Sequence, residues 1–253
     1  MKKVEKEQIR KRKIVHISDL HLGSAQFLPA MLEDAISEIK SLNPEIVIVT
    51  GDLTMEGYPF QFENAKEYLN KISNTKVLIV PGNHDSYNVG YLHFEKIFGS
   101  RYVSLHHYEI TILGMDSSEP DLDDGHIGRE HYKEIESTFK DNPDNFKIFF
   151  LHHHLLPVPR TGREKNILVD AGDVLELLIT SGVNLVLSGH RHVPHLWKLN
   201  NMYLLNAGTV STNRLRGSSK PSYNIIEIGR NLIIRRKYVG AEDDCILDVP
   251  LET

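Results

Sequence analysis

Five short runs of β-branched and aliphatic residues constrain this chain more than any other feature: Ile14–Ile17, Ile46–Val49, Val77–Val80, Ile148–Leu151 and Leu185–Leu187. Each is apolar enough to be a central strand buried on both faces. Between them lie segments with helical spacing, at 29–42, 59–73, 88–98, 128–140 and 170–181. Pro29 opens the first of these, and Met31, Ala35, Ile39 and Leu42 share one face. Such alternation predicts a layered α/β protein. From residue 194 the texture changes to strand-like pieces, His195–Leu199, Tyr203–Asn206, Tyr223–Ile228 and Leu232–Tyr238, separated by glycine and polar turns. That half is expected to be antiparallel or mixed. No low-complexity linker divides the two halves, so the expectation is one domain over 14–253 behind a charged tail, 1–13.

The residues directly after each run carry the chemistry. They are Ser18-Asp19-Leu20-His21, Gly51-Asp52, Gly82-Asn83-His84-Asp85, His152-His153-His154 and Gly189-His190-Arg191-His192. Open α/β sheets bind their ligands beyond the carboxyl ends of the strands, where loops stand on a rigid scaffold. Asp19 with His21, and His190 with His192, are spaced i, i+2, which in extended chain turns both side chains to one side. Gly51, Gly82 and Gly189 precede candidate ligands and suit a tight turn or a close backbone approach. Nitrogen and oxygen donors without thiolate suit Mn, Fe, Zn or Co. The donors Asp19, His21, Asp52, Asn83, His152, His190 and His192 are too many for one transition ion, which predicts two ions sharing a carboxylate. Singly, each residue is ordinary: an aspartate after a strand usually caps or turns, and an isolated histidine usually satisfies a polar neighbour. The signal is their joint occurrence at the same end of successive strands.

These motifs resemble those of the calcineurin-like metallophosphoesterase family, which carries D-x-H, G-D, G-N-H-[DE], a histidine loop and G-H-x-H, over about residues 14–192. The run His152-His153-His154-Leu155-Leu156-Pro157 is similar to the His-His-x-x-x-Pro of its bacterial cyclic-nucleotide and glycerophosphodiester phosphodiesterase branch. The resemblance implies a four-layer α-β-β-α sandwich of two mixed sheets. It implies that Asp19, His21 and His192 hold one ion, that Asn83, His152 and His190 hold the other, and that Asp52 bridges them. The count to Pro157 selects His152, with His153 as the alternative. His84 resembles the histidine that contacts the substrate phosphate, beside Asn83, and protonates the leaving oxygen, with Asp85 orienting it. The implied activity is hydrolysis of small cyclic-nucleotide-like or glycerol phosphodiesters, with an in-line attack by hydroxide generated at the metals. A nuclease or phosphomonoesterase on the same centre is the alternative, and a non-catalytic metal-binding scaffold a third reading.

Composition narrows the partners. The net charge is −5 and the pI about 6.3, so the chain as a whole does not present a basic surface for nucleic acid. The only cysteine, Cys245, excludes an intramolecular disulfide and a thiolate-built site, and fits a reducing compartment. The first residues lack the apolar stretch of a secretory signal, and no apolar run reaches the roughly 18 to 20 residues of a membrane span, so a cytoplasmic protein is expected. The tail lysines and arginines, Lys2, Lys3, Lys6, Arg10, Lys11, Arg12 and Lys13, read as a solvated tail. Arg160, Arg163 and Lys165, and then Arg214, Arg216 and Lys220 beside Gly217-Ser218-Ser219, are candidates to grip an anion. Asp116 reads either as a strand-ending turn or as a carboxylate behind the ligands. His93, His106, His107, His126, His131 and His195 read as surface or core.

Overall fold

The computed structural model describes residues 11–161, 167–216 and 219–251. Lys2, Lys3, Lys6, Arg10, Arg163, Lys165, Gly217 and Ser218 lie outside the described residues. The first sheet contains β1 (Arg12–Ile17), β2 (Ile46–Thr50) and β3 (Lys76–Val80) as parallel neighbours. Helices α1 (Pro29–Leu42) and α2 (Pro59–Asn70) are the crossovers that parallel pairing demands. β1 begins at Arg12, so Arg12 and Lys13, expected in the tail, belong to the first strand. After β3 comes a 3-10 turn, His84–Val89, and then α3 (Gly90–Phe98). The expected continuous helix over 88–98 is therefore broken, because Asn88 and Val89 are left-handed (φ 51° and 55°).

The second sheet opens with a hairpin of β4 (Val103–His107) and β5 (Ile110–Gly114), followed by α4 (Tyr132–Lys140), β6 (Phe146–Phe150), α5 (Ala171–Thr180) and β7 (Leu185–Ser188). β8 (His195–Leu199) and β9 (Met202–Asn206) complete it in the order β4-β5-β6-β7-β9-β8, with β5, β6, β7 and β9 parallel. The chain then returns to the first sheet as an antiparallel meander, β10 (Ser222–Ile228), β11 (Asn231–Tyr238) and β12 (Asp243–Pro250), giving β12-β11-β10-β1-β2-β3. Both sheets are mixed. Three strands were not among the expected runs. β4 alternates half-buried and exposed positions, β5 has its apolar run broken by Thr111, and β12 is rich in outward acidic residues.

The period of two along each strand sorts side chains into layers. Ile14, Ile46, Ile48 and Val80 of one sheet meet Ile112, Ile148, Phe150 and Leu187 of the other in a core between the sheets. Val15, Ile17, Val47 and Val49 face outward to α1 and α2, against Leu32, Ile36, Ile39 and Phe62. Phe149, Val186 and Leu204 face outward to α4 and α5, against Ile135, Phe139, Val174 and Leu178. The result is the expected four-layer α-β-β-α sandwich. Among the described residues no helix is long and apolar enough to cross a membrane.

His16, Thr50 and Asn224 form a polar group on the inward face. His16 is fully buried, with Nε2 3.0 Å from Thr50 Oγ1 and Nδ1 3.2 Å from Asn224 Nδ2. Burial lowers its pKa to about 3, against a smaller raising effect of Asp19. The folded protein keeps this imidazole neutral while the unfolded chain protonates it near 6.5, so its contribution is complete above that pH and is lost as pH falls toward about 3. His16→Gln is expected to reduce the loss of denaturant stability over that interval by up to about 1.4 kcal/mol per pH unit. An unchanged slope would overturn the assignment.

Candidate metal centre

The loops leaving β1 and β2 travel together. Asp19 N donates to Gly51 O at 3.0 Å and His21 N to Asp52 O at 2.9 Å, which extends the strand pairing past the sheet edge. Thr209 Oγ1 donates to Asp19 O at 2.7 Å and Ser211 Oγ to Leu20 O at 3.0 Å, fastening the first loop from the other side. Asp19, His21, Asp52, His190 and His192 all have left-handed backbone, with φ of 57°, 49°, 52°, 71° and 56°. This corrects the expectation of extended chain at the i, i+2 pairs: the side chains converge through left-handed turns instead. Asp and His tolerate that region better than most residues, yet each such position costs on the order of 1 kcal/mol, and such strain gathers at functional sites.

Two glycines give the loops room. A Cβ on Gly82 would lie 2.2 Å from Asp52 Oδ1 and 2.8 Å from His152 Nδ1, and one on Gly189 2.6 Å from Asp19 Oδ2. Both carboxylates are oriented by a backbone donor from another loop. His190 N donates to Asp19 Oδ2 at 3.2 Å, and His84 N donates to Asp52 Oδ1 at 3.0 Å. That leaves Asp19 Oδ1 and Asp52 Oδ2 facing the histidines, and Asp19 Oδ1 is buried with no hydrogen-bond partner.

Asp19, His21, Asp52 and His192 form one buried cluster, with one ligand atom from each lying within 4.8 Å of the others. His192 Nε2 is 3.2 Å from Asp19 Oδ1 and 2.9 Å from His21 Nε2. On the other side of Asp52, Asn83 Oδ1 lies 3.1 Å from His152 Nε2 and 3.0 Å from His190 Nδ1, and those two nitrogens are 3.2 Å apart. Asp52 Oδ2 stands between the groups, 3.5 Å from His21 Nε2 and 3.4 Å from His152 Nε2.

The tautomers are set by the outward partners. His152 Nδ1 sits 2.7 Å from Thr50 O, and His192 Nδ1 2.7 Å from Arg214 O. A carbonyl only accepts, so each Nδ1 carries the proton and a neutral ring turns the Nε2 lone pair inward. Lone pairs of imidazole, amide and carboxylate thus converge from several sides, an arrangement that a cation satisfies and neutral hydrogen bonding does not. Burial, then neighbouring charge, holds His21 and His190 well below the ordinary histidine value. Burial would raise Asp19, but His192, His152 and His21 take it below the usual carboxylate range. Burial would lower His192, but Asp19, the Arg214 carbonyl and Asp52 together raise it.

In the triple histidine, His152 faces Asp52 and Asn83. His153 turns away, with Nδ1 2.9 Å from Ser117 Oγ and Nε2 3.0 Å from Asp123 O. His154 is also buried, its ring stacked 5.7 Å from that of His190.

Asp85 requires a correction, because it does not touch His84. Its carboxylate accepts from Leu53 N, Thr54 N, Thr54 Oγ1 and Gly82 N at 3.1, 2.9, 2.8 and 3.0 Å, tying the loop after β2 to the loop after β3. Burial and the Asp52 charge push Asp85 up to about 6 against those donors. His84 is oriented by Met55 O, 2.8 Å from its Nδ1, which leaves Nε2 facing the cleft, 3.4 Å from an Arg214 guanidinium nitrogen.

Asp52, Asn83, His84, His190, His192 and Arg214 are among the residues lining a polar cavity of about 260 Å³. Asp123, which no sequence motif singles out, joins it, and Tyr87 contacts Asp123. Asn83 Nδ2 donates to Asp123 Oδ1 at 3.2 Å, which turns the amide oxygen toward His152 and His190, and Tyr87 OH donates to the same carboxylate oxygen. The only sequence signal for Asp123 was its place in an acidic loop, 121–124. Asp116 lies apart from the centre, its Oδ2 2.6 Å from an Arg101 guanidinium nitrogen and its Oδ1 accepting from Ser118 N at 2.7 Å.

Residues 12–194 match the family model described as calcineurin-like phosphoesterase. A probable cyclic nucleotide phosphodiesterase of Xenorhabdus bovienii is 29% identical over 249 residues, covering 88% of this chain and 98% of the relative. A 3′,5′-cyclic adenosine monophosphate phosphodiesterase of Haemophilus influenzae is 27% identical over 197 residues, covering 71% and 69% respectively. A dimetal phosphatase from Danio rerio shares the fold, with a TM-score of 0.70 at 12% identity, over 95% of this chain and 99% of that one.

Proposed function

Because the chain belongs to the calcineurin-like phosphoesterase family, and is by that membership and its relatives a metal-dependent phosphoester hydrolase, we propose that it hydrolyses small phosphodiesters at a dinuclear centre. The observation that carries this reading is the position of Asp52 Oδ2, within 3.5 Å of His21 Nε2 and 3.4 Å of His152 Nε2, between two donor sets. Asp19, His21 and His192 would hold one ion and Asn83, His152 and His190 the other, with Asp52 shared. Hard and borderline donors of this kind suit Mn or Fe, and also Zn or Co. Two such ions, when bound, supply a nucleophilic oxygen at neutral pH and offset the charge of the phosphate oxygens.

The chain's own residues account for the other requirements. Arg214 presents a guanidinium fork toward the cleft, suited to a non-bridging phosphate oxygen. His84, fixed through Nδ1 to Met55 O, directs Nε2 to the same space. As the bond from phosphorus to the leaving oxygen breaks, a protonated Nε2 gives its proton to that oxygen, so an alcohol departs in place of an alkoxide. Asn83, held by Asp123, orients its carbonyl oxygen toward the centre and not its amide.

The test is activity of protein stripped by chelator and reloaded with Mn, Fe, Zn, Co or Mg. The substrates are cyclic nucleotides, glycerophosphodiesters, oligonucleotides and p-nitrophenyl monoesters. The expected result is no turnover without metal and preferential turnover of diesters with it. Monoester turnover alone would replace the diesterase reading by a phosphomonoesterase, and a metal-loaded protein inert to the whole panel would overturn hydrolysis at this site.

A further inference from the structure

Beside the metal centre lies a second cavity, of about 360 Å³, lined in part by Arg160, Arg216, Lys220 and Arg236. Among the described residues that line it there is no carboxylate, although the chain as a whole is acidic, with a net charge of −5. The cations come from separate parts of the chain: one from the histidine loop, two from the segment between β9 and β10, and Arg236 from β11. The neighbouring Arg235 reaches Asp243 at 3.4 Å, whereas Arg236 Nε is buried without a hydrogen-bond partner among the described residues. Thr161 O accepts from both Arg191 and Arg216, at 2.8 and 3.1 Å, which holds two guanidiniums close together. Burial, then Arg236 and Arg160, depresses the nearby His195. Gathering like charges around one concave space opposes folding unless an anion enters it. Arg216 lines this cavity and the cleft over the metal centre alike, so the two adjoin.

We propose that this pocket is a phosphate-binding subsite, and that the preferred substrate is a phosphodiester carrying a second phosphate, held here while the scissile phosphate lies over the metal centre. The proposal rests on the phosphodiesterase reading and narrows it. A cyclic mononucleotide, with its single phosphate, leaves the pocket unfilled. A diester of a nucleoside bisphosphate, or a short linear oligonucleotide, fills both places. Arg and Lys recognise the added group by charge-assisted hydrogen bonds, so the preference falls as ionic strength rises.

Two chromogenic diesters that differ only in the extra group supply the test: thymidine 5′-(p-nitrophenyl phosphate), with and without a 3′-phosphate. In metal-loaded wild-type protein, kcat/KM is expected to be on the order of tenfold higher for the 3′-phosphorylated compound. That ratio is expected to fall toward one in Arg236→Gln and in Lys220→Gln, the second being an exposed position that keeps the test readable if the first does not fold. Turnover of both compounds with a wild-type ratio near one would overturn the subsite and leave the diesterase reading standing. Turnover of neither would overturn the diesterase reading, and the pocket is then read by calorimetric titration with thymidine 3′,5′-bisphosphate. Binding that weakens in Lys220→Gln would support the pocket, and no binding to wild type would overturn it.

Discussion

Asp52→Asn is expected to lower diester hydrolysis by on the order of 10³-fold and to reduce the metal bound per chain, while the fold persists. Asp52 Oδ1 accepts from His84 N, a role that the amide oxygen of asparagine can keep. Its Oδ2, however, faces His21 Nε2 and His152 Nε2. An NH₂ group at that point donates to the inward imidazole lone pairs instead of joining them as a third donor to a cation. The substitution therefore removes one shared ligand and also occupies two others. The checks are metal content after dialysis, melting temperature and kcat on one diester. Full metal content with wild-type turnover would mean that Asp52 does not bridge two ions.

His84→Gln is expected to divide substrates by leaving group. Proton donation contributes about 10² to 10⁴-fold where an alkoxide must depart, and little where p-nitrophenolate leaves unaided. Turnover of glycerophosphodiesters or cyclic nucleotides should thus fall by two orders of magnitude or more, and turnover of bis(p-nitrophenyl) phosphate by much less. Glutamine retains a hydrogen-bond donor but cannot ionise near neutral pH, so it separates proton transfer from phosphate binding. An equal loss on both substrate types would assign His84 to holding the phosphate, together with Arg214, and not to protonating the leaving oxygen.

Local signals account for most of the architecture that is legible in the chain alone. The five apolar runs are core strands because two-sided burial favours apolar side chains at nearly every position, His16 being the exception, and the histidines and aspartates after them stand where parallel strands end. β4, β5 and β12 escaped because an edge strand, an interrupted run and an acid-rich strand lack that uniform pattern. The pairing of Asp85 with His84 failed for another reason. Adjacent residues in a turn need not face each other, and the donors that Asp85 accepts from include Leu53 and Thr54, 32 and 31 positions away. Asp123 and Arg214 come to the cleft on loops whose course no periodicity records.

The sequence by itself determined the alternation of strands and helices in a layered α/β protein, the order of the loops and the kinds of donor each carries, because these depend on hydrophobic period and on side-chain chemistry. Only the tertiary structure decided which atoms converge. The left-handed backbone of Asp19, His21, Asp52, His190 and His192, the backbone donors that turn one carboxylate oxygen inward, and the choice of His152 over His153 at the cleft all arise from contacts between loops far apart in the chain. The basic pocket belongs to the same class. Its arginines and lysine are scattered from residue 160 to residue 236, and only the packing of two sheets gathers their charge beside the metal centre.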